Sequence, residues 1–244
     1  AHETITFMII ANNVTKKFGK LIALNNVSVT CNKGECIALI GPNGSGKTTF
    51  IKSILGMVVP DSGFITFNGK NIIHDWMYRR HIGYMPQIGR YPDNMTIGQV
   101  FNMMKDIRSV ENSKPVDESL TRYFGLDQLL QKRMRTLSGG TRQKVSASLA
   151  FLFDPDVLIL DEPTAGLDPL ASEILKEKIK SEKEKGKLIL ITSHILSELD
   201  ELITHVIYMQ EGNLQFHKKL SDLQKDTGEE KLSRAIAAVM SKKQ

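Results

Sequence analysis

The chain has 244 residues, 41% of them hydrophobic and 24% charged, which excludes wholesale disorder and leaves enough apolar material for a substantial core. Thirty-two Lys and Arg against 27 Asp and Glu leave a net charge of +5, too mild an excess to point to a nucleic-acid surface, so no nucleic acid is expected as a partner. No apolar run approaches the ~18 residues that a membrane-spanning helix needs.

Met8, followed by "IIANNVTKKFG", reads as a native start, which would leave residues 1–7 outside the native chain; no secretory pattern is expected there. In chain order, "MIIANNVTKKF", "NNVSVTC" and "GFITFNG" read as strands bounded by Asn, Gly, Lys and Asp-Ser-Gly turns. Between the second and third lies "CIALIGPNGSGKTTFIKSILGM", a buried strand, a Gly-rich loop and a helix with Ile51, Ile54 and Leu55 on one side. Cys31 and Cys36 have no His or Cys cluster nearby, and Cys36 opens the apolar run, which predicts a buried structural thiol in a reducing compartment.

Over 91–136 the pattern turns helical. Thr96 is placed to cap a helix whose Ile97, Val100, Phe101, Met104 and Ile107 form an apolar stripe. "DVLILDE" and "KLILITSH" are continuous apolar runs that suit a parallel sheet covered on both faces. The charged helix between them, around 170–185, is expected to present a solvated face where Lys alternates with Glu173, Glu177, Glu182 and Glu184. "VIYMQEGNLQFH" predicts a hairpin turning at Glu211 and Gly212, and the tail from Glu229 an amphipathic helix with Leu232, Ile236, Val239 and Met240 on one side.

Residues 41–49, "GPNGSGKTT", match G-x-x-x-x-G-K-[ST] in the strand–loop–helix setting that motif requires. Gly41, Pro42, Asn43, Gly44, Ser45 and Gly46 would wrap a phosphate chain, with backbone N–H groups and the helix N-terminus aimed at its charge. Lys47 would reach the β- and γ-phosphates, the Thr48 hydroxyl would ligate Mg²⁺, and Thr49 completes the helix start. This pattern predicts a nucleotide site.

Asp161 and Glu162 stand at the carboxyl end of a buried strand, the edge where ligands bind in open α/β sheets. Asp161 is placed to hold Mg²⁺ through water and Glu162 to orient and deprotonate a water. His194 ends the next strand, so Lys47, Asp161, Glu162 and His194 are expected around one γ-phosphate. Ser138, Gly139 and Gly140 open a further helix, a second anion-seeking N-terminus. That end either caps something local or completes the site of another copy.

Taken in order, these motifs resemble the ATP-binding subunit of an ABC transporter, over residues 8–216. The Walker A loop is 41–48, the Walker B strand is 157–161 followed by Glu162, Gln87 in "YMPQ" matches the glutamine loop, and "LSGG" is the signature motif. Asp168 in "AGLD" matches the loop between subunits, His194 the switch histidine, and Phe18 the aromatic ring set against adenine, usually Tyr. The resemblance implies an α/β P-loop NTPase core with an N-terminal antiparallel β subdomain, an inserted helical subdomain (about 88–155) and a C-terminal helical tail (217–244). It also implies ATP and Mg²⁺ as ligands, and a partner that is a second copy or a homologous ATPase, closing head to tail so that each signature helix caps the other's ATP. Membrane-spanning permease subunits would anchor the pair at the cytoplasmic face. In the implied chemistry Glu162 polarises the attacking water, His194 holds the γ-phosphate, and Gln87 completes the Mg²⁺ shell and links the core to the insertion.

Thr141 stands where the family usually has Gln after "LSGG", and the stretch 137–169 resembles the ATPase subunit of the transporter serving nitrous oxide reductase copper maturation. Met95, Met103 and Met104 lie at helical spacing and read as core or docking surface, not as copper ligands. Two other functions fit the motifs less well. A soluble ATPase of translation or DNA repair usually carries two cassettes or a long coiled-coil insertion, and a non-hydrolysing dimerising regulator does not need Glu162 and His194.

Overall fold

A computed structural model of the chain describes residues 7–109 and 116–241. The start expected to be non-native, 1–7, and the end of the tail, 242–244, lie outside these residues, apart from the backbone of Phe7, which opens the first strand. In chain order the elements are β1 (Phe7–Phe18), β2 (Leu21–Asn32), β3 (Cys36–Ile40), α1 (Lys47–Ile54), β4 (Ser62–Phe67), β5 (Lys70–Asn71) and β6 (Ile82–Met85). Then come α2 (Ile97–Ser109), α3 (Ser119–Tyr123), α4 (Gly139–Phe151), β7 (Val157–Asp161), α5 (Pro169–Glu184) and β8 (Leu188–Thr192). The chain ends in β9 (His205–Gln210), β10 (Asn213–Lys219), α6 (Leu220–Thr227) and α7 (Leu232–Ser241). They form two compact units, one of residues up to 80 with those from 182 onward, the other of 81–181.

In the first unit, β2-β1-β4-β5 make an antiparallel sheet. β2 buries Val27, Val29 and Cys31 and exposes Ser28, the alternation of a sheet with one covered face. A second sheet runs β10-β9-β3-β8 within this unit; β3 is parallel to β8 and β9, while β10 is antiparallel to β9. Every residue of β3 and β8 is buried, as their unbroken apolar runs predict. The β9–β10 hairpin turns where expected, with Glu211 at φ 51 and Gly212 at φ 76. Both thiols are buried, and burial pushes Cys31 up and Cys36 up to about 12, the state of inert structural cysteines.

In the second unit, Thr96 and Gln99 cap α2 reciprocally: Thr96 N donates to Gln99 Oε1 (2.8 Å) and Gln99 N to Thr96 Oγ1 (3.2 Å). Ile97, Val100 and Phe101 are buried, but Ile107, expected on the same stripe, is 66% exposed. The packed face fades along the helix, since Met103, Met104 and Lys105 are already only half-buried. β6 and β7 pair in parallel, Ile82 against Val157 through Met85 against Leu160.

The expected solvated face of α5 needs one correction. Glu182 is buried, because it follows Leu175 and Ile179 at the spacing of the helix's apolar stripe. Lys185 and Lys187, beyond the helix end, form ion pairs with it. Among the described residues no helix is long and apolar enough to cross a membrane.

Candidate nucleotide site

The phosphate-loop motif links β3 to α1. Gly46 is the N-cap of α1 at φ 101, and a Cβ there would stand 2.5 Å from the Ala23 carbonyl oxygen, so backbone and space both demand glycine. No acidic residue sits in the first turn of α1. The positive end of the helix dipole is therefore unanswered by the helix's own side chains, which fits a phosphate chain. Lys47 Nζ folds back over the loop, donating to the carbonyl oxygens of Gly41 (2.7 Å) and Pro42 (3.0 Å), and lies 3.4 Å from Ser45 Oγ. An ammonium gathered there by neutral carbonyls can exchange them for charge-assisted bonds to phosphate oxygens.

The rest of the loop divides between anchoring and exposure. Ser45 is buried and its carbonyl accepts from Gly212 N (3.1 Å), so the β9–β10 turn braces the loop. Pro42, Asn43, Gly44 and Thr48 are exposed, and the Thr49 carbonyl accepts from Ser53 Oγ (2.8 Å). Phe18, 51% exposed, ends β1 with Lys16 Nζ 5.5 Å from its ring centroid. That ring has a cation partner and still offers open area to a base. His194 is exposed at a turn past β8, shaped by Ser193 Oγ, which accepts from Ile195 N (3.0 Å).

The remaining candidates lie in the second unit. Asp161 is the last residue of β7 and is buried; burial first, and the Asp161 charge second, push the Tyr84 hydroxyl of β6 above its usual range. Glu162 follows at φ 51, a left-handed conformation that costs a non-glycine residue on the order of 1–3 kcal/mol and persists where surroundings enforce it. The chain therefore turns at Glu162, whose carbonyl accepts from Ala165 N (3.1 Å). Gln87 is exposed, just past the end of β6.

Ser138 caps α4: its Oγ accepts from Thr141 N (3.2 Å) and lies 2.9 Å from Thr141 Oγ1. The residue that departs from the family pattern thus bonds the signature serine. Gly139 beside it is exposed and Gly140 half-buried. Asp168 is exposed; its Oδ1 accepts from Ala171 N (2.9 Å) at the start of α5, and its Oδ2 pairs with Lys144 Nζ (2.7 Å). The Lys144 ammonium holds the Asp168 carboxyl below the usual carboxylate range. Sequence reading missed Lys144 and its neighbour Gln143; the available signal was their spacing, one helical turn beyond Gly140.

Among the described residues no cluster of three or more His, Cys, Asp or Glu is arranged to hold a metal alone. A Mg²⁺ that arrives on a nucleotide needs only one or two protein oxygens; the Thr48 hydroxyl in the first unit is a hard oxygen donor of that kind, and so, taken by itself, is the Asp161 carboxylate in the second.

A family model described as ABC transporter matches residues 24–165. The chain is 35% identical over 208 residues to the Nod factor export ATP-binding protein I of Burkholderia lata, covering 82% of this chain and 67% of that one. To the protein of the same name from Rhizobium meliloti (strain 1021) it is 35% identical over 209 residues, covering 82% and 61%. The chain thus spans about two thirds of the length of these relatives. Among solved structures, an ATP-binding subunit of an ABC transporter superposes with a TM-score of 0.87 at 28% identity, covering 96% of this chain and 99% of that one. A dimeric ATP-binding cassette in a post-hydrolysis state bound to ADP and Pi gives a TM-score of 0.74 at 24% identity, over 87% and 99%, a likeness of fold.

Proposed function

We propose that this chain, which belongs to the ABC transporter family as an ATP-binding subunit, hydrolyses ATP in a head-to-tail pair with a second copy or a homologous ATPase, and so drives a separate membrane-spanning permease. The observation that carries the reading is Lys47 curled over a glycine-capped loop at an acid-free helix N-terminus. The cassette, 8–216 with a helical subdomain at 88–155, would sit at the cytoplasmic face of the membrane through that permease.

Phosphoryl transfer to water passes through a loose transition state, so positioning and charge do most of the catalysis. Loop N–H groups and Lys47 neutralise the phosphates, and Phe18 stacks on the adenine. Thr48, Asp161 and Gln87 would hold Mg²⁺, which would supply further neutralisation of the phosphate charge. Glu162 polarises the attacking water and takes its proton, while His194 holds the γ-phosphate. Ser138, Gly139, Gly140 and Asp168 act on the nucleotide of the opposite copy. ATP closes the pair, and the like charges of the products help to open it.

Export is the direction favoured, because the relatives are named as export ATP-binding proteins. The likeness to the copper-maturation ATPase rests on the 137–169 stretch, including Thr141, and is a subgroup proposal.

The test is MgATP turnover of the purified chain against protein concentration, beside Lys47→Ala and Glu162→Gln. Specific activity should rise with concentration and vanish in both variants. A Glu162→Gln rate equal to the parent's removes the base assignment, and near-normal turnover in Lys47→Ala removes the loop assignment.

A further inference from the structure

We propose that Gln143 and Lys144 are positioning residues for ATP hydrolysis: one face of α4 grips the 162–168 loop, so that Glu162 is set in place by the helix that begins at Ser138. This deepens the reading above and rests on Glu162 as the base.

Positions 140, 143 and 144 lie on one side of α4 by helical spacing, and each meets the loop. A Cβ on Gly140 would stand 2.9 Å from the Gly166 carbonyl oxygen, so the loop crosses the first turn of α4 in close contact. One turn on, the buried Gln143 brings Nε2 to 3.4 Å from the Glu162 carbonyl oxygen. Lys144 Nζ reaches Asp168 Oδ2 at 2.7 Å. The loop is thereby held at its beginning, middle and end by one short stretch of helix.

Within the loop, Ala165 N donates to the Glu162 carbonyl (3.1 Å) and Leu167 N to that of Thr164 (3.1 Å), which makes it a compact run of turns. Asp168 fastens its far end to α5 through Ala171 N (2.9 Å). Glu162 sits at φ 51, a conformation it holds against its own preference. The donor at its carbonyl helps to keep it there, and the backbone angle sets where its carboxylate stands. A shift of α4, whose exposed end carries Ser138 and Gly139, therefore moves the base. Loading of that end by the opposite copy's nucleotide is then felt at Glu162 without any contact between the two.

Gln143→Met keeps length and bulk but deletes the donor; Lys144→Met deletes the ion pair, and Lys144→Arg restores it. Steady-state turnover is read over a range of ATP concentrations, with Glu162→Gln as reference. Gln143→Met should lower kcat at least tenfold with KM for ATP within about twofold of the parent. Lys144→Met should lower kcat severalfold, with recovery in Lys144→Arg. Lys144 lies near the surface, so its pair of variants decides the matter if Gln143→Met does not fold. Parental kcat in Gln143→Met or Lys144→Met, with Glu162→Gln inactive, overturns the positioning role and leaves the base assignment standing. Losses that appear only as a raised KM also overturn it. Parental turnover in Glu162→Gln overturns both.

Discussion

Glu182 near the end of α5 is 1% exposed and is ion-paired to Lys187, itself 11% exposed, and to the half-exposed Lys185 at 2.8 Å. A buried carboxylate that loses its partner keeps its desolvation cost without the attraction that offsets it. Lys187→Met should therefore destabilise the fold by about 2 kcal/mol, less than a full uncompensated charge because Lys185 remains. Lys185→Met should cost ~0.5 kcal/mol or less, as expected of a solvent-screened pair. Urea unfolding of both variants checks the order; equal effects would place the two lysines on the same footing and contradict the assignment.

Thr96 and Gln99 satisfy each other's backbone N–H groups at the start of α2. Thr96→Ala removes one acceptor and should cost ~1 kcal/mol, whereas Thr96→Ser should cost a few tenths. Thermal melts of the pair suffice. An unchanged midpoint in Thr96→Ala would mean that α2 is held by its buried face alone.

Gly46→Ala should weaken ATP binding at least tenfold, because its φ of 101 and the Ala23 carbonyl 2.5 Å from the new Cβ force the loop to move. Gly125→Ala is the control. It is also at positive φ (65) but has open space around the added carbon, so it should lower stability and leave ATP affinity alone. Calorimetric titration with MgATP separates the two, and parental affinity in Gly46→Ala would remove the loop from the binding site.

His217 on β10 has a pKa held below its ordinary value chiefly by burial, with Glu35 acting to raise it and His205 to lower it. Its ring lies 5.8 Å from that of His205, whose Nε2 is 3.5 Å from Glu35 Oε1. The depressed pKa means that the unfolded chain takes the proton first. The contribution is therefore full above about pH 6.5 and is lost as pH falls through the folded value. Unfolding free energy should decline on acidification from neutrality, and His217→Gln should flatten that decline. An identical slope in the variant would shift the effect to another group.

Much of this molecule was legible in the chain. The Gly-rich loop between β3 and α1, the all-buried β3 and β8, the turn at Glu211 and Gly212 and the Thr96 cap depend on local chemistry, where spacing and residue type suffice. Glu182 was misread because composition marks the helix as charged, while burial follows the stripe through Leu175 and Ile179. Ile107 failed the other way, since helical phase does not say how far along a helix its packed face extends. At the candidate site, residue types single out Lys47, Asp161 and Glu162 for the proposed roles, but they do not reveal the left-handed turn at Glu162 or the Lys144–Asp168 pair. Those depend on how α4 meets a loop distant in sequence.

In the proposed cycle ATP closes two copies and hydrolysis at Glu162 reopens them. The most direct test is the solution mass of Glu162→Gln, by sedimentation or light scattering, with and without saturating MgATP. The mass should shift from one chain to two on adding MgATP and return when ATP is removed. A mass of one chain at saturating MgATP, with binding confirmed by titration, would contradict closure between two copies of this chain.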